Sequence, residues 1–339
     1  MKRPLRLGLA GLNFGKHICG ELTSNPNLPV QLAKVCDLDA AKAQAVGAQF
    51  KVPVSPSLEA LLKDPEIDVI GLFTGPNGRA ALLEQIIRAG RDAMTTKPFE
   101  LDADRALAVL REARSLGRVI HLNSPNPRPF GEAAIVREWL DAGAIGRPTL
   151  GHASVWVYYG PTPADGSWYD DPARCPLAPM FRLGIYPLNV LLTVFKDPVS
   201  VQVEHARVET QLPTPDNTAM TIRFRDGAIV NLLASFVVGG PDCYKNTLTI
   251  GGTQGVIYYA TGPKPRPGEP PAPVVLSTAS GVESRTPTGH AGDYDWDFFA
   301  RRVLGEEKAD VTTPEDIVAA IRVVNAMSEA ERTGQTVAL

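Results

Sequence analysis

The sequence predicts an α/β protein in which a doubly wound parallel sheet is followed by a mostly antiparallel sheet with a few helices. Over the first 124 residues, short apolar runs alternate with helical segments of roughly 10–15 residues, which is typical of a parallel sheet with right-handed crossovers. A proline-rich hinge follows at Ser124–Pro129, and strand patterns dominate from Thr149 onward. We therefore expect a first domain at residues 1–124 and a second at residues 125–339.

Length and composition exclude several classes of protein. The chain has 339 residues, which fits about two domains of roughly 100–200 residues each. Its formal net charge of −3 is typical of neither a nucleic-acid binder nor an acidic tail. No apolar run reaches the ~20 residues of a membrane helix, and the N-terminus lacks the apolar core of a signal peptide. We expect no nucleic-acid partner and no membrane partner.

The cysteines and histidines indicate a reduced compartment without a metal. Cys19, Cys36, Cys175 and Cys243 are widely spaced and form no CxxC pair. The five histidines show no ligand spacing such as HxxxH. We therefore expect a cytoplasmic protein with no disulfide framework and no metal site.

The expected elements of the first domain alternate in type. Strands are expected at Leu5–Ala10, Val30–Val35, Ile67–Phe73, Arg91–Thr95 and Arg118–Leu122. Helices are expected at Phe14–Leu22, Leu38–Phe50, Gly78–Ala89 and Asp102–Leu116, with a short helix up to Lys63 that Ser57 caps. Because such sheets bind ligands at the carboxyl ends of their strands, the candidate site residues are those that follow each strand.

The expected elements of the second domain are mainly strands. They are expected at Leu150–Tyr159, Val199–Gln211, Ala219–Phe224, Ile229–Val238, Thr247–Ile250 and Val256–Tyr259. Asp226-Gly227 predicts a hairpin turn, and Thr261–Pro273 predicts an irregular loop. Helices are expected at Glu132–Ala142, Leu183–Phe195, Tyr294–Leu304 and about 314–331, the last with Thr313 as its N-cap.

The first strand leads into a candidate dinucleotide loop. Gly11 lies between a strand and a helix, where helix N-terminal amides can bind a pyrophosphate. Asn13 and Lys16 stand where the G-x-G-x-x-G fingerprint has its second and third glycines. The motif alone therefore leaves open both nucleotide binding and a plain strand–helix turn.

Asp37 and Lys97 follow two further strands. A carboxylate at Asp37 can bond the ribose hydroxyls of adenosine and would repel a 2′-phosphate, which favours NAD over NADP. Asp37 can equally cap the helix Leu38–Phe50, and the two roles are compatible. Lys97 can reach a nicotinamide ribose and a substrate hydroxyl from the edge of the sheet. The alternative for Lys97 is an ordinary surface lysine.

Four segments resemble the glucose–fructose oxidoreductase/inositol dehydrogenase (Gfo/Idh/MocA) family, and the resemblance covers nearly the whole chain. Thr74-Gly75-Pro76-Asn77 resembles the family's Thr-Pro-Asn segment, and Ala89–Pro98 resembles its AGKHVLxEKP stretch. Gly143–Pro148 resembles its GxIG link, and Arg182–Pro187 lines up with its DxGxH/Y signature. The resemblance implies a Rossmann domain and a C-terminal domain with a large open sheet that commonly forms an oligomer face.

The implied chemistry is hydride transfer between NAD, or NADP, and a sugar, cyclitol or similar alcohol. The expected cofactor-binding residues are Gly11, Leu12, Asn13, Phe14, Asp37, Thr74, Gly75, Pro76, Asn77, Lys97, Pro98 and Asn123. Lys97 and Tyr186 are the expected catalytic residues, with Tyr186 as the general acid/base whose pKa a nearby cation can lower. The expected substrate-binding residues are Arg182, Asn189, Trp168 and Tyr169, although aromatic residues near strands are more often core.

Three residues depart from the family pattern. Thr96 replaces a glutamate that could orient Lys97, and Asn13 replaces a glycine of the cofactor loop. Arg182 stands where the family usually has an aspartate, four residues before Tyr186. Because arginine can hold a carboxylate or phosphate with two parallel hydrogen bonds, we hypothesise a substrate with an acid group, such as a sugar acid. The alternative is that Arg182 turns outward and the site is weakened.

Two other functions stay open at this stage. A transient oxidation that drives epimerisation or elimination would use a tightly held, recycled cofactor. A catalytically degenerate homologue would bind a nucleotide or sugar without turning it over. The resemblance also implies a homo-oligomer, a dimer or tetramer, formed through the C-terminal sheet.

Overall fold

A computed structural model describes residues 3–160, 166–239, 245–259, 269–307 and 311–339. Its strands are β1 Leu5–Ala10, β2 Val30–Cys36, β3 Val69–Leu72, β4 Asp92–Thr95, β5 Ile120–Leu122, β6 Pro148–Trp156, β7 Pro198–Ala206, β8 Asn217–Phe224, β9 Ile229–Ser235, β10 Lys245–Gly252, β11 Gly255–Tyr259, β12 Val274–Thr278, β13 Gly281–Arg285 and β14 Val337–Ala338. Its α-helices are α1 Leu12–Ser24, α2 Ala40–Phe50, α3 Leu58–Lys63, α4 Arg79–Arg88, α5 Ala103–Ser115, α6 Glu132–Asp141, α7 Ile185–Val194, α8 Trp296–Val303 and α9 Pro314–Thr333.

The described chain forms two units, and neither of them is continuous in sequence. The first contains Met1–Pro127 and Tyr294–Pro314, and the second contains Arg128–Asp293 and Glu315–Leu339. The sequence had placed everything after residue 124 in the second domain. Tyr294–Pro314 packs with the first unit because its aromatic rings meet those of that unit: Tyr294 lies 5.6 Å from Phe73 and 6.4 Å from Phe14, centroid to centroid.

The first unit contains the predicted parallel sheet. Its strand order is β2-β1-β3-β4-β5 and every pairing is parallel. β3 and β4 are buried along their whole length, as expected where helices cover both faces. The chain leaves β1 toward β2 on one side and continues with β3 on the other. The strand order therefore reverses between β1 and β3, and ligands of doubly wound sheets bind at this point.

Two helices of the first unit, α3 and α2, begin directly after an N-cap residue whose side chain accepts a backbone amide. Ser57 caps α3 as predicted, because its Oγ accepts a hydrogen bond from the Ala60 amide at 3.1 Å. The helix expected from Leu38 begins at Ala40, and the alternative role of Asp37 as its N-cap is not observed. Asp39 is the N-cap of α2, its carboxylate accepting from the Lys42 amide, and Leu38 is fully exposed before the helix begins.

The second unit contains a large, mostly antiparallel sheet, as predicted, and the described residues give it nine strands. Its order over the described residues is β13-β12-β11-β10-β6-β9-β8-β7-β14, and β6 and β9 are the parallel pair. The sequence missed β12, β13 and β14, which are short strands at the two ends of the sheet. The Asp226-Gly227 turn is confirmed, since Gly227 adopts a φ of 91° between β8 and β9.

Two segments of the second unit differ from their predicted bounds. β7 ends at Ala206 rather than Gln211, because Asp216 holds the amides of Val208, Glu209 and Thr210 in a loop. The predicted helix Leu183–Phe195 begins earlier, as a π-helical turn at Met180–Gly184 that continues into α7. Arg182 lies in this turn, and such turns are frequent at functional sites.

Cys19, Cys36 and Cys175 are buried, and Cys19 and Cys36 form no disulfide. Burial raises the pKa of the Cys19 thiol to about 12 and also raises that of Cys36, so neither is a ready nucleophile at neutral pH. Cys243 and most of the predicted loop Thr261–Pro273 lie outside the described residues. In the described ranges, no helix has the length and apolar character to cross a membrane, and no group of three or more potential ligands could hold a metal ion.

Candidate functional site

The carboxyl edge of the parallel sheet carries the predicted cofactor residues. Gly11 follows β1 with a φ of 90°, and a Cβ there would lie 2.9 Å from the backbone of Phe73 and of Thr74, just after β3. Only glycine tolerates both the positive φ and this approach. The backbone after β1 therefore lies directly against the backbone after β3, at the point where the strand order reverses.

Asp37, at the end of β2, is bonded to the same loop. Its Oδ2 accepts from the amide of Leu12 at 2.7 Å, and its Oδ1 accepts from the amide of Asp39 at 2.9 Å. Asn13 points its amide oxygen at Lys42, whose Nζ lies 2.6 Å away. The carboxylate of Asp37 keeps further lone pairs for hydroxyl donors beyond these two amides.

Thr74-Gly75-Pro76-Asn77 follows β3 and is fixed by Arg79, the first residue of α4. The guanidinium of Arg79 is buried and donates to the carbonyl oxygen of Thr74 and to those of Thr96, Pro98 and Phe99. One side chain thus connects the loops that follow β3 and β4.

Lys97 follows β4, and hydrogen bonds hold its own amide and the carbonyl groups of its two neighbours, Thr96 and Pro98. Its amide donates to Asn123 Oδ1 at 3.1 Å, and Asn123 is fully buried after β5. Thr96, the residue that replaces a glutamate, accepts a hydrogen bond from the Tyr294 hydroxyl at 2.8 Å. The structure therefore brings Asp37, Gly11, Thr74, Lys97 and Asn123 together in the order of the strands that bear them.

This edge fits a dinucleotide. Gly11 is the N-cap of α1 and offers no side chain to its first turn, so the helix presents its N-terminal amides and positive dipole end at the point where strand order reverses. Asp37 stands at the end of the neighbouring strand, where ribose hydroxyls are bound in such folds. These residues, together with Thr74–Asn77 and Lys97, would hold a nicotinamide dinucleotide.

Tyr186 lies on α7 in the second unit and is half-buried. Its ring packs against Gly292, where a Cβ would come within 2.7 Å of Tyr186 Cε1. The loop that carries Gly292 is held by Glu132, a buried carboxylate at the start of α6. Glu132 Oε2 accepts from the Ala291 amide at 2.8 Å, and Oε1 lies 2.7 Å from His290 Nδ1.

Arg182 lies among aromatic rings in the same unit. Its Cζ is 4.0 Å from the centroid of Tyr169, 5.1 Å from that of Tyr159 and 5.0 Å from that of Phe236. Its Nη2 also donates to the Tyr159 hydroxyl at 3.3 Å. These contacts orient the plane of the guanidinium by cation–π attraction.

The remaining predicted substrate residues lie in different environments. Trp168 and Tyr169 form a short 3-10 helix and stack with centroids 4.2 Å apart, and Trp168 also meets Phe181. Asn189 is buried on α7, one turn after Tyr186. The substrate-binding roles of these residues stay predictions.

Four residues at these two places were missed from the sequence. They are Arg79, Glu132, Tyr294 and Glu100, whose carboxylate accepts a hydrogen bond from the amide of Gly78 just before α4. One signal existed for Arg79, since an arginine in the first turn of a helix opposes the helix dipole. The others are single polar residues whose partners lie 22, 158 and 198 positions away, a distance over which no sequence pattern operates.

Comparison with known proteins shows the class of protein to which this fold belongs. Residues 5–124 match the model of an oxidoreductase family with an NAD-binding Rossmann fold. Residues 134–258 match the GFO/IDH/MocA C-terminal domain. The chain belongs to the Gfo/Idh/MocA oxidoreductase family.

Individual relatives are distant. UDP-N-acetylglucosamine 3-dehydrogenase of Acidithiobacillus ferrooxidans is 27% identical over 62% of this chain and 61% of its own length. Inositol 2-dehydrogenase of Rhizobium meliloti is 28% identical over 42% of each chain. The alignments thus span about three fifths or less of these relatives. The crystal structure of aldose-aldose oxidoreductase from Caulobacter crescentus, complexed with glycerol, superposes with a TM-score of 0.78 at 18% identity, covering 99% of this chain and all of that one.

Proposed function

We propose that this protein is an NAD(P)-dependent dehydrogenase or reductase that acts on a hydroxyl or carbonyl group of a sugar, cyclitol or sugar acid. The observation that carries the proposal is the position of Lys97. It follows β4 on the edge that also bears Gly11 and Asp37, and its backbone is held by Asn123 and by the carbonyl contacts of Arg79. The relatives named above, which act on sugar and inositol compounds, support the substrate class.

NAD is the cofactor that the edge favours. Asp37 places a carboxylate at the end of β2, beside the first turn of α1. A carboxylate accepts hydrogen bonds from ribose hydroxyls and repels a 2′-phosphate. Lys42, bonded to Asn13, is a nearby cation on the same side and moderates that repulsion. We therefore expect NAD to bind more tightly than NADP, with NADP still measurable.

The proposed reaction removes or adds a hydride at a carbinol carbon. When bound, the nicotinamide supplies the hydride acceptor or donor. In the oxidative direction the C–H bond at the carbinol carbon breaks as the hydride leaves, and the C=O bond forms. The substrate's O–H bond breaks, and Tyr186, as its phenolate, receives the proton. Lys97 binds the hydroxyl oxygen and stabilises the negative charge that develops there. In the reductive direction Tyr186 returns the proton to the oxygen.

The substrate proposal extends to an acid group. Arg182 presents a guanidinium whose plane is set by Tyr169 and Tyr159, one helical turn from Tyr186. Such a group binds a carboxylate more strongly than a neutral hydroxyl. A sugar acid is therefore the form of substrate that we expect to bind best.

We also propose a homo-oligomer formed through the open sheet. One face of that sheet exposes apolar residues on adjacent strands: Leu150 lies beside Ile229, and Leu233 and Tyr258 lie on the same face. Leu150 is 56% exposed and Leu233 is 45% exposed. A second copy of the chain would cover this surface, which a monomer would leave in water.

The first experiment is a calorimetric titration of the nucleotide-stripped protein with NADH and then NADPH. Tight NADH binding followed by hydride transfer in a screen of polyols, sugars and sugar acids would support the proposal. Lys97→Met and Tyr186→Phe should then lower kcat by about a hundredfold or more, in the range that acid–base catalysis contributes. Failure of both nucleotides to bind would contradict it.

A further inference from the structure

We propose that Arg79 is a positioning residue for Lys97: its buried guanidinium ties the loop after β3 to the loop after β4 and fixes the backbone from which Lys97 projects. The inference rests on the proposed function for the role of Lys97, but not for the tie itself. Arg79 is 1% exposed and ranks with Phe181 among the largest fully buried side chains of the described residues. A buried arginine needs an explanation, because a cation is costly to remove from water unless it is well bonded.

The contacts of Arg79 join two segments of the candidate cofactor edge. Nη2 donates to the carbonyl oxygen of Thr74, in the loop after β3. Nη1 lies within hydrogen-bond distance of the carbonyl oxygens of Thr96, Pro98 and Phe99, the last at 3.1 Å. The guanidinium is planar and its donors diverge at fixed angles, so the two loops have a fixed separation.

A buried carboxylate supports the same arrangement. Glu100 is 3% exposed, and it accepts from the amides of Gly78 and Ala80, the residues on either side of Arg79. It also accepts from the amide of Leu101 at 2.8 Å. Glu100 therefore joins the start of α4 to the end of the Lys97 loop, and it places a negative charge in the segment that adjoins the buried cation.

The backbone around Lys97 is held on both sides as a result. The carbonyl before it, on Thr96, and the carbonyl after it, on Pro98, both accept from Arg79, while its own amide donates to Asn123. These bonds set the position of the Lys97 Cα and thus the volume that its ammonium can reach. Because catalysis depends on placing reacting groups to within about 1 Å, release of this backbone would lower the rate while leaving the lysine present.

Arg79→Lys is the substitution that tests this geometry. It keeps the positive charge, but its single nitrogen cannot donate to Thr74 and to the three carbonyls of the other loop at once. Arg91→Lys is the matched control. Arg91 also donates to two backbone carbonyls, those of Leu62 and Asp64, but it stands just before β4, at the opposite end of that strand.

The experiment has one arm that needs no turnover. Hydrogen exchange of the nucleotide-free full chain compares wild type, Arg79→Lys and Arg91→Lys, after a thermal melt has shown that each is folded. We expect amides in residues 74–78 and 96–101 to exchange at least tenfold faster in Arg79→Lys alone. Unchanged exchange rates in both segments would show that Arg79 does not hold the two loops together.

The second arm is a kinetic cycle of Arg79→Lys, Lys97→Met and the double variant. We expect Arg79→Lys to lower kcat about tenfold to a hundredfold in the wild-type background and to have little effect once Lys97 is methionine. Equal losses in both backgrounds would show that Arg79 does not act through Lys97. If wild type shows no hydride transfer, the proposed function fails and the positioning role fails with it, while the exchange arm still decides whether Arg79 holds the two loops.

Discussion

The carboxylate of Asp37 accepts a hydrogen bond from the amide of Leu12 at 2.7 Å, which connects the end of the second strand to the first turn of α1. The contact joins the two ends of the candidate dinucleotide site, the part for the phosphates and the part for the adenosine ribose. In the proposed site, it would also fix a negative charge near the adenosine ribose, where NAD and NADP differ chemically.

Asp37→Asn should therefore shift cofactor preference toward NADP. Removal of the charge relieves repulsion of the 2′-phosphate, and we expect the ratio of the NADPH to the NADH dissociation constant to fall about tenfold or more. Calorimetric titration with both nucleotides measures this ratio. Asp92→Asn is the control, since Asp92 also accepts a backbone amide, from Val119, but at the amino end of β4. An unchanged ratio of dissociation constants in Asp37→Asn would show that the Asp37 charge does not set the cofactor preference.

Arg182→Asp should weaken binding of acidic sugars selectively. A hydrogen bond to a charged group contributes about 1.5–3 kcal/mol, so we expect a loss of roughly tenfold to a hundredfold for sugar acids and little change for neutral sugars. Arg223→Asp makes the same charge change on an exposed residue of β8 and should have no such effect. If Arg182→Asp binds both classes of sugar as wild type does, the anionic-substrate idea is wrong.

Gly292→Ala should lower turnover without weakening NADH binding. The added methyl group would come within 2.7 Å of Tyr186 Cε1 and displace the phenol ring. Gly292 does not adopt a positive φ, so alanine brings no backbone strain. We expect kcat to fall about tenfold or more, since displacement of a reacting group by about 1 Å has such effects. Gly251→Ala, where the nearest atom is 3.6 Å away, is the control.

Leu233→Asp should shift the protein toward the monomer if the open sheet is the oligomer face. A charge at the centre of an apolar interface would be buried without a partner. Light scattering after size-exclusion chromatography gives the mass of each species. Leu304→Asp introduces the same charge at an exposed leucine of the first unit and should leave the mass unchanged. A monomeric wild type would remove the basis of this prediction.

Asp216→Asn should destabilise the second unit in a pH-dependent way. Burial raises the pKa of Asp216, but the amides of Glu209, Thr210 and Val208 outweigh it and lower that pKa below its ordinary value. A lowered native pKa means that the carboxylate stabilises the fold above the unfolded-state pKa and that this stability is lost as pH falls through the native value. We expect a loss of about 1–3 kcal/mol at pH 7 that shrinks below about pH 4.

Urea unfolding of wild type and Asp216→Asn at pH 7 and below pH 4 checks this sign. Asp226→Asn, in the exposed hairpin turn, is the control. Asp226 accepts a hydrogen bond from the Ala228 amide, and its substitution should lower the free energy of unfolding little at either pH. A difference between wild type and Asp216→Asn that grows as pH falls would contradict the assignment.

The sequence by itself determined the fold class and the alternation of strands and helices in the first unit. It also determined which residues follow the parallel strands. These follow from local rules: an apolar run of strand length, a glycine at a positive φ and a cap one residue before a helix are each decided within a few positions. All strands of a parallel sheet end at the same edge, so the residues that follow the strands can be named from the sequence. Those residues include Gly11, Asp37, Lys97 and Asn123.

The tertiary structure alone decided what holds those residues. Arg79 reaches Thr96, Pro98 and Phe99 from 17 to 20 positions away, and Tyr294 reaches Thr96 across 198 positions. Hydrogen bonds of this kind depend on which side chain the folded backbone brings within about 3 Å of an acceptor, and no periodicity in the sequence records that distance. The same reason explains why Tyr294–Pro314, read from the sequence as part of the second domain, packs with the first unit: the aromatic partners of its rings, Phe14 and Phe73, lie more than two hundred residues earlier in the chain.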